Sequence, residues 1–291
     1  MDLSAVIVNW NSGRHLGRLL RSLEVLEEDL AEVLVVDNAS TDHSPEAAAE
    51  SSGVRLLKME NNLGFAAAAN RGIALTSTRL VLLLNPDLEV NPESVRSLYQ
   101  EMNRLPTAAI VSGKLTDDKG IPQSNFQIRP LPTVWNVIRD VLFLEELLRG
   151  AAKPFRLAWT SLFPSAASMD SNIQGVEVEQ PAAAFWLLRK DAWKTVGGFD
   201  EQFQPAWFED VDFCKRVRAE QWRIFHFPGH SVGVHRGGLA LDRLGYERFV
   251  GIYYNNLLRY LKKHHRAGYL LLWPAVRMGS WIRRQIISRW R

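Results

Sequence analysis

The sequence predicts an α/β protein with a mostly parallel β-sheet flanked by helices, followed by a basic, amphipathic, helical C-terminal tail. The alternation of segment types predicts the sheet. Short apolar, β-branched segments alternate with longer segments of helical periodicity through the first hundred residues, and such alternation is typical of βαβ units. A second observation predicts the tail, because residues 248–291 contain ten Lys or Arg and no Asp or Glu.

The composition is that of a folded globular protein. The chain has 291 residues, 46% hydrophobic and 23% charged, which allows one large domain or two small ones. The single Cys214 excludes an intramolecular disulfide and suits a reducing compartment. We expect neither a signal peptide nor a membrane-spanning helix, since the N-terminus has no basic start and no stretch reaches about 18 apolar residues.

The individual elements follow from periodicity and capping residues. In the first hundred residues, helices are predicted to begin near Ser12, at Ser44, at Leu63 and after Asn91. Residues 120–175 are rich in Pro, Trp and Phe and have weak periodicity, which favours an insertion with short helices. A further helix is predicted to open at Glu209. The predicted strands span residues 3–8, 32–36, 54–58, 80–84, 184–188 and 223–227.

Polar clusters follow three of the predicted strands. These clusters are Asn9-Trp10-Asn11, Asp37-Asn38 and Asn85-Pro86-Asp87. In sheets of this type ligands bind beyond the carboxyl ends of the strands, so we expect the clusters to line one site. The alternatives are local: Asp87 as a plain turn residue and Asp37 as the former of an Asx turn.

The absence of several sequence motifs disfavours several enzyme classes. The chain has no GxGxxG after the first strand, no GxxxxGK[ST], no GxSxG and no metal-type cysteine spacing. Asp87 at a strand end is suited to hold Mg²⁺ or Mn²⁺, and His235 is a candidate further ligand or a structural histidine. Glu209 and Asp210 match the dipole of the helix that they open, and one of them is a candidate general base.

Seven stretches together resemble a known family. They occur in the family's order between residues 5 and 238, about four-fifths of the chain, and are similar to family 2 glycosyltransferases with a GT-A fold, of the bacterial rhamnosyltransferase-like branch. The stretches are VIVNWNSG, VLVVDNASTD, NNLGFAAAANRGI, LLLNPDLEV, VGGFDEQF, FEDVDFCKRVR and VGVHRGG.

The resemblance implies an inverting sugar transfer from a nucleotide-activated donor and assigns roles by motif. Asp210 matches the catalytic base, with Glu209 beside it. Asp87 matches the last position of the metal-binding acidic motif, and His235 matches a histidine that contacts metal or diphosphate. The remaining nucleotide-sugar-binding positions implied by the resemblance are Asn9, Asp37, Asn38, Asn61, Gly64, Asn85 and Asp212, the last of which is alternatively an ion-paired helix residue.

The same resemblance implies a domain organisation. Residues 1–240 form the glycosyltransferase domain, with a nucleotide-binding half at 1–110, an irregular insertion at 111–175 and an acceptor or catalytic half at 176–240. Residues 241–291 form the tail. Two departures from the family pattern stand out: Asn85 replaces the first acidic residue of the metal motif, and Ala182-Ala183-Ala184 replaces the Ser-Gly-Ala of many relatives.

The tail indicates where the protein works. After Pro274, Arg277 and Arg284 are expected on one helical face, with Trp281 and Ile282 away from it, a pattern typical of interfacial membrane helices. Packing on the body or on a second subunit is the alternative. His264 and His265 are expected at the surface.

These observations combine into one expected function. The protein is expected to lie in the cytoplasm on the inner face of the bacterial plasma membrane. It would transfer a sugar from a dTDP- or UDP-sugar, with dTDP-rhamnose as the first choice, to a lipid-linked saccharide. Nucleic acid is not an expected partner, and the oligomeric state stays open. A non-catalytic nucleotide-sugar-binding scaffold subunit is the rival hypothesis, supported by Asn85. A nucleotidyltransferase is a third, disfavoured by the lack of a basic Gly-rich loop after the first strand.

Overall fold

The computed structural model of the protein describes residues 1–141, 175–237 and 243–289. Most of the predicted insertion and the last two residues of the predicted tail therefore lie outside the described residues. Within the described ranges, strands and helices alternate along the first hundred residues as predicted. The α/β prediction is confirmed.

A nine-stranded mixed sheet forms the centre of the molecule, and a separate two-stranded sheet lies beside it. The strands are β1 (Leu3–Asn9), β2 (Glu32–Asp37), β3 (Val54–Lys58), β4 (Leu80–Leu84), β5 (Leu88–Val90), β6 (Ala108–Thr116), β7 (Ile128–Arg129), β8 (Val176–Glu177), β9 (Gln180–Pro181), β10 (Phe185–Arg189) and β11 (Arg223–His235). The order in the large sheet is β3-β2-β1-β4-β10-β6-β11-β5, with β8 beside β11, while β7 pairs with β9.

The first half of the sheet is parallel. Strand β1 pairs in parallel with β2 and with β4, and β2 pairs in parallel with β3. Strand β10 then runs antiparallel to both β4 and β6. Because strands from the predicted nucleotide-binding and catalytic halves pair directly, the two halves share one sheet and one hydrophobic core.

Helices cover both faces of the sheet, and two further helices form the C-terminal end of the chain. Asn91 caps the fourth helix as predicted, since its side chain accepts a hydrogen bond from the Glu93 backbone amide at 3.1 Å. The helices are α1 (His15–Glu24), α2 (Ser44–Glu50), α3 (Gly64–Leu75), α4 (Pro92–Arg104), α5 (Ser124–Gln127), α6 (Val134–Val141), α7 (Lys190–Thr195), α8 (Glu209–Ala219), α9 (Tyr246–His264) and α10 (Arg266–Arg289).

Strand β6 was not predicted from the sequence, although it is a central strand. Ser112, Gly113 and Lys114 interrupt its apolar run, so neither alternation nor a continuous apolar segment marks it. Close packing explains the glycine, because a Cβ at Gly113 would lie 2.4 Å from Val232 Cγ1 and 2.7 Å from the His230 carbonyl oxygen.

The tail contributes to the body of the protein through α9. A third hydrophobic cluster joins Phe208 and Val211, which flank the start of α8, to Tyr253 and Leu257 on α9 and to Val276 on α10. Pro274 lies inside α10 rather than before it. Among the described residues, no helix is long and apolar enough to cross a membrane.

The outer face of α10 differs from the prediction. Leu271, Met278 and Trp281 are 71%, 61% and 62% exposed, and Arg277 and Arg284 are exposed beside them. The basic and apolar residues were expected on opposite faces. They lie side by side, because residues four apart, such as Arg277 and Trp281, are neighbours on a helix.

Candidate active site

The ends of β1 and β2 form a buried polar network. Asn9 and Asp37 are the last paired residues of the two strands, and Asn9 Nδ2 donates to Asp37 Oδ1 at 2.8 Å and to Ser44 Oγ at 2.9 Å. Asn9 Oδ1 accepts from Ser12 Oγ at 2.5 Å. Asn9 has no exposed surface, so its side chain orients Asp37 from within the protein rather than facing solvent.

Asp37 is held by both its neighbours and its own turn. Its Oδ1 accepts from Ser40 Oγ at 2.6 Å and its Oδ2 from the Ser40 backbone amide at 3.2 Å. These contacts close a local turn three residues long, so Asp37 also has a structural role at this position, although the bond to the residue two positions on that defines an Asx turn is not among them. They fix the carboxylate at the strand end without using every lone pair of Oδ2.

The turn before α3 connects the two halves of the site. Asn38 Nδ2 donates to Asn62 Oδ1 at 2.9 Å. The predicted Asn61 and its neighbour Asn62 are both exposed. The Phe65 backbone amide donates to the Pro205 carbonyl oxygen at 2.8 Å. Gly64 has a φ of +85°, and a Cβ there would lie 2.8 Å from that same oxygen, so this position requires glycine.

Asp87 and His235 meet at the carboxyl edge of the sheet. Strand β11 pairs with β5 so that His235 lies opposite Leu88, which brings His235 Nε2 to 3.5 Å from Asp87 Oδ1. Both residues are buried. The structure therefore brings together the two residues that were predicted to hold a metal ion.

Gln123, which the sequence did not single out, fixes the tautomer of this histidine. Its Nε2 donates to the His235 carbonyl oxygen at 2.7 Å, which leaves its Oε1 to accept from His235 Nδ1 at 2.8 Å. Burial lowers the pKa of His235, against the opposing effect of the Asp87 charge. A neutral ring with its proton on Nδ1 presents the Nε2 lone pair to Asp87.

Two lone-pair donors that face each other suit a shared cation, and a hydrogen bond from the other ring nitrogen is typical of metal-ligating histidines. Within residues 1–141, 175–237 and 243–289, no group of three or more His, Cys, Asp or Glu side chains could hold a metal ion. Asp87 and His235 would supply two protein ligands, a number that suits a cation bound largely by substrate phosphates.

Glu209 and Asp210 begin α8 and differ in their surroundings. Burial raises the pKa of Glu209 well above its usual range, and the neighbouring Asp210 charge raises it further. A carboxyl group held neutral is a poor proton acceptor. Of the two candidates, Asp210 is therefore the one suited to act as a general base.

The small β7–β9 sheet supplies two unpredicted partners of Asp210. Gln180 Nε2 donates to Asp210 Oδ2 at 2.9 Å, and Arg129 approaches the same oxygen at 3.4 Å. Fifty-one residues separate Arg129 from Gln180 in the sequence. No local motif could therefore have revealed the pair.

The Ala182-Ala183-Ala184 segment spans the distance between the two carboxylates. The Ala182 backbone amide donates to the Gln127 carbonyl oxygen at 2.8 Å, and the Asn85 backbone amide donates to the Ala184 carbonyl oxygen at 2.9 Å. The segment thus runs from strand β9, whose Gln180 contacts Asp210, to the turn that carries Asp87.

Asp212 does not join this site. Its Oδ2 accepts from Arg216 Nε at 2.7 Å, and its Oδ1 from His264 Nε2 at 2.7 Å and from Lys263 Nζ at 2.8 Å. The contacts favour the ion-paired alternative over a role in nucleotide-sugar binding. His264, expected at the surface, is largely buried against Asp212, because α9 packs on α8.

Comparison with known proteins identifies relatives over most of the chain. The sequence model described as glycosyl transferase family 2 matches residues 4–161. N-acetylglucosaminyl-diphospho-decaprenol L-rhamnosyltransferase of Mycobacterium tuberculosis is 28% identical over 99% of this chain and 88% of its own length. Low-salt glycan biosynthesis hexosyltransferase Agl10 of Haloferax volcanii is 25% identical over 77% of this chain and 64% of its own length.

Solved structures of low sequence identity share the fold. The mannosyltransferase PcManGT from Pyrobaculum calidifontis, in complex with GDP-Man and Mn²⁺, has a TM-score of 0.57 at 16% identity, covering 91% of this chain and 64% of that one. TarS 1–349 of S. aureus, in complex with UDP-GlcNAc, has a TM-score of 0.53 at 18% identity, covering 90% of this chain and 67% of that one. The predicted GT-A fold is confirmed.

Proposed function

Because the chain belongs to glycosyl transferase family 2 and is a glycosyltransferase, we propose that it transfers rhamnose from a nucleoside diphosphate donor, dTDP-rhamnose first, to a lipid-linked saccharide in bacterial surface glycan synthesis. The observation that carries the proposal is the pair of buried carboxylates, Asp87 and Asp210, which are linked through the Ala182–Ala184 segment: Gln180, just before it, donates to Asp210, and Asn85, in the Asp87 turn, donates to the Ala184 carbonyl oxygen. The choice of rhamnose and of a lipid-linked acceptor rests on the mycobacterial relative, whose name specifies both and which aligns with 99% of the chain.

The donor is proposed to bind across the carboxyl ends of β1, β2 and β4. Asp37 and Asn38 would meet the base or ribose, and the Asn61–Gly64 turn would border the same pocket. Asn9 would act through Asp37, which it orients by a hydrogen bond of 2.8 Å. Asn85 and Asp87 would lie at the diphosphate.

Asp87 and His235 would hold a divalent cation, Mg²⁺ or Mn²⁺. The fit rests on the Asp87 oxygen and the His235 nitrogen, 3.5 Å apart, and on the Gln123 contact that directs the His235 lone pair towards Asp87. When bound, such a cation would compensate the charge that develops on the departing diphosphate.

Asp210 would activate the acceptor. As the acceptor hydroxyl oxygen forms a bond to the anomeric carbon, the bond from that carbon to the diphosphate oxygen breaks, and its electron pair leaves with the nucleoside diphosphate. The hydroxyl proton passes to Asp210. A single base is sufficient for inversion, because the hydroxyl attacks from the face opposite the leaving group.

A direct assay tests this function. We expect the purified full-length protein to transfer radiolabelled rhamnose from dTDP-rhamnose to N-acetylglucosaminyl-diphospho-polyprenol, and Asp210→Asn to reduce kcat by at least about 100-fold. Glu201→Gln, a change of an exposed carboxylate on the loop before α8, serves as the control. Full activity of Asp210→Asn would refute the proposed role of Asp210. Nucleotide binding without turnover on any acceptor would favour the scaffold hypothesis.

We further propose that the protein binds the surface of an anionic membrane through α10. The exposed Leu270, Leu271, Met278 and Trp281 lie along one side of the helix, and exposed arginines border them. Apolar side chains that enter the headgroup region beside cations that attract anionic lipids are typical of interfacial helices. A lipid-linked acceptor would lie at the same surface.

A second element extends this surface. Trp135 on α6 is 64% exposed, and its neighbour Val134 packs against Gly268 of α10. The tryptophan therefore lies close to the beginning of the apolar stripe on α10. Tryptophan is a preferred residue at the membrane interface, because its ring is apolar and its N–H is polar.

A further inference from the structure

We propose that Arg129 and Gln180 are positioning residues that hold one oxygen of the Asp210 carboxylate so that the other faces the acceptor hydroxyl. The proposal rests on the proposed role of Asp210 as the base. It adds two residues to the site and defines the subsite where the hydroxyl of a saccharide acceptor would bind.

The two side chains come from a structural unit that presents them together. Strands β7 and β9 pair antiparallel, and Arg129 lies directly opposite Gln180 in their register. Cross-strand partners project from the same face of a sheet. Both side chains accordingly reach the same atom, Asp210 Oδ2, at 3.4 Å from Arg129 and 2.9 Å from Gln180.

This arrangement makes the two carboxylate oxygens of Asp210 unequal. Oδ2 has two side-chain donors. Among the described residues, the donor to Oδ1 is the Val211 backbone amide at 2.8 Å. Since a carboxylate oxygen accepts two hydrogen bonds, Oδ1 has room for one more donor, and an acceptor hydroxyl would be that donor.

Two further buried oxygens point to a ligand rich in hydroxyl groups. Within the described part of the chain, Gln180 Oε1 and Glu209 Oε2 are buried without a hydrogen-bond partner. Gln180 contacts Asp210 directly, and Glu209 precedes it. Buried polar atoms in native proteins are nearly always paired. A saccharide that offers one hydroxyl to Asp210 would place its other hydroxyl groups next to these two residues.

The guanidinium of Arg129 also compensates the negative charge of Asp210 in this subsite. Asp210 and Arg129 are both largely buried, with side chains 12% and 10% exposed, and a buried carboxylate requires a compensating charge. When the hydroxyl proton reaches Oδ1, the contacts of Oδ2 with Arg129 and Gln180 remain. The base would therefore not change orientation during the reaction.

The test compares graded variants at both positions in the rhamnosyl transfer assay. We expect Arg129→Gln and Gln180→Leu to lower kcat by about 10- to 100-fold while the Kd for the nucleotide changes by less than about twofold. Arg129→Lys should restore part of kcat, because it retains the charge. Gln180→Glu should be slower than Gln180→Leu, because it places a second carboxylate against Asp210.

The control is Arg218→Gln. Arg218 is an arginine on the same helix as Asp210, but it donates to the Val178 carbonyl oxygen at 3.1 Å and not to Asp210. This substitution should leave kcat unchanged. The inference is overturned if the wild type transfers rhamnose and all four variants at Arg129 and Gln180 retain its kcat. It is also overturned if kcat and nucleotide affinity fall together in Arg129→Lys and Gln180→Glu, because that result indicates a structural role only. A wild type that binds nucleotide and transfers nothing would instead refute the proposed function.

Discussion

Asp87 and His235 form a contact that is unfavourable unless a third group intervenes. A neutral imidazole with its proton on Nδ1 directs a lone pair at a carboxylate oxygen 3.5 Å away. Two acceptors at this separation are stabilised by a proton or a cation between them. This contact is the basis for the proposal that donor binding depends on a divalent metal ion.

We predict that calorimetric binding of dTDP, UDP and GDP will identify one nucleotide whose affinity depends on Mn²⁺ or Mg²⁺. Asp87→Ala should reduce the metal-dependent affinity by at least about tenfold, and Gln123→Ala should reduce it less, because Gln123 only orients His235. Glu101→Ala, which removes a partly exposed carboxylate that is paired with Arg104 on α4, should behave as the wild type. Equal affinity with metal and with chelator would contradict the prediction.

We predict that alanine at Gly64 destabilises the protein more than alanine at Gly53. Gly64 and Gly53 both have positive φ, but their surroundings differ: a Cβ added at Gly64 would lie 2.8 Å from the Pro205 carbonyl oxygen, whereas one at Gly53 would meet nothing within 4 Å. Gly53→Ala should lower the free energy of unfolding by about 1 kcal/mol. Gly64→Ala should lower it by a further ~1–3 kcal/mol through the steric conflict.

Urea denaturation of the two glycine variants measures this difference. We also expect Gly64→Ala to weaken nucleotide binding, because the displaced turn borders the proposed donor pocket, whereas Gly53→Ala should not. Equal stability of the two variants would mean that the turn and the Pro205 segment separate without loss.

At the scale of elements, Asp212 joins α8 to the end of α9. Burial acts to raise the pKa of Asp212, but His264, Arg216 and Lys263 outweigh it and lower the pKa to about 2. The unfolded-state value is 3.8. The resulting stabilisation is therefore present above about pH 4 and is lost as the pH falls towards 2.

We predict that Asp212→Asn lowers the free energy of unfolding at pH 7 by about 2–3 kcal/mol, since a pKa lowered from 3.8 to about 2 corresponds to that amount. Urea unfolding at pH 7 measures it. Asp191→Asn, an exposed carboxylate near Lys194, should change stability by less than about 0.5 kcal/mol. A similarly small effect of Asp212→Asn would show that the cluster does not stabilise the α8–α9 contact.

Elements with strong periodicity were predictable and those defined by distant partners were not. The predicted strands 54–58 and 80–84 have the observed bounds. Strand β6 was missed, because its Ser112-Gly113-Lys114 sequence is explained only by packing against β11. At the site, Asp87 and His235 were predicted by residue type and motif, whereas Gln123, Arg129 and Gln180 become visible only when the fold brings them beside those residues.

At the scale of the whole molecule, the exposed large apolar side chains of the described residues concentrate on α10, at Leu270, Leu271, Trp273, Met278 and Trp281. Helix α6, which packs against Gly268 near the start of α10, carries a further one, Trp135. The prediction of a basic helix was correct in composition and wrong in the relative placement of its faces, since apolar and basic residues share the outer side. The residues opposite, including Leu272 and Val276, pack on the body.

We predict that the full-length protein sediments with vesicles that contain phosphatidylglycerol and less with phosphatidylcholine alone. The double change Leu271→Ser and Trp281→Ser should weaken binding by about tenfold or more, given the apolar area removed. Val25→Ser with Ile121→Ser, which alters residues 64% and 57% exposed elsewhere, is the matched control. Unchanged sedimentation of the α10 variant would exclude this surface.

The hydrogen bond between Phe65 and Pro205 has a consequence for protein engineering. It joins a turn bordering the proposed donor pocket to the segment that leads into Glu209 and Asp210, the proposed catalytic carboxylates, and β4 and β10 pair along the same boundary. Chimaeras made by exchanging residues 1–110 with a relative would carry mismatched surfaces at both contacts. A chimaera that is meant to acquire the donor preference of a relative should therefore receive the 61–65 turn and the 204–205 segment together.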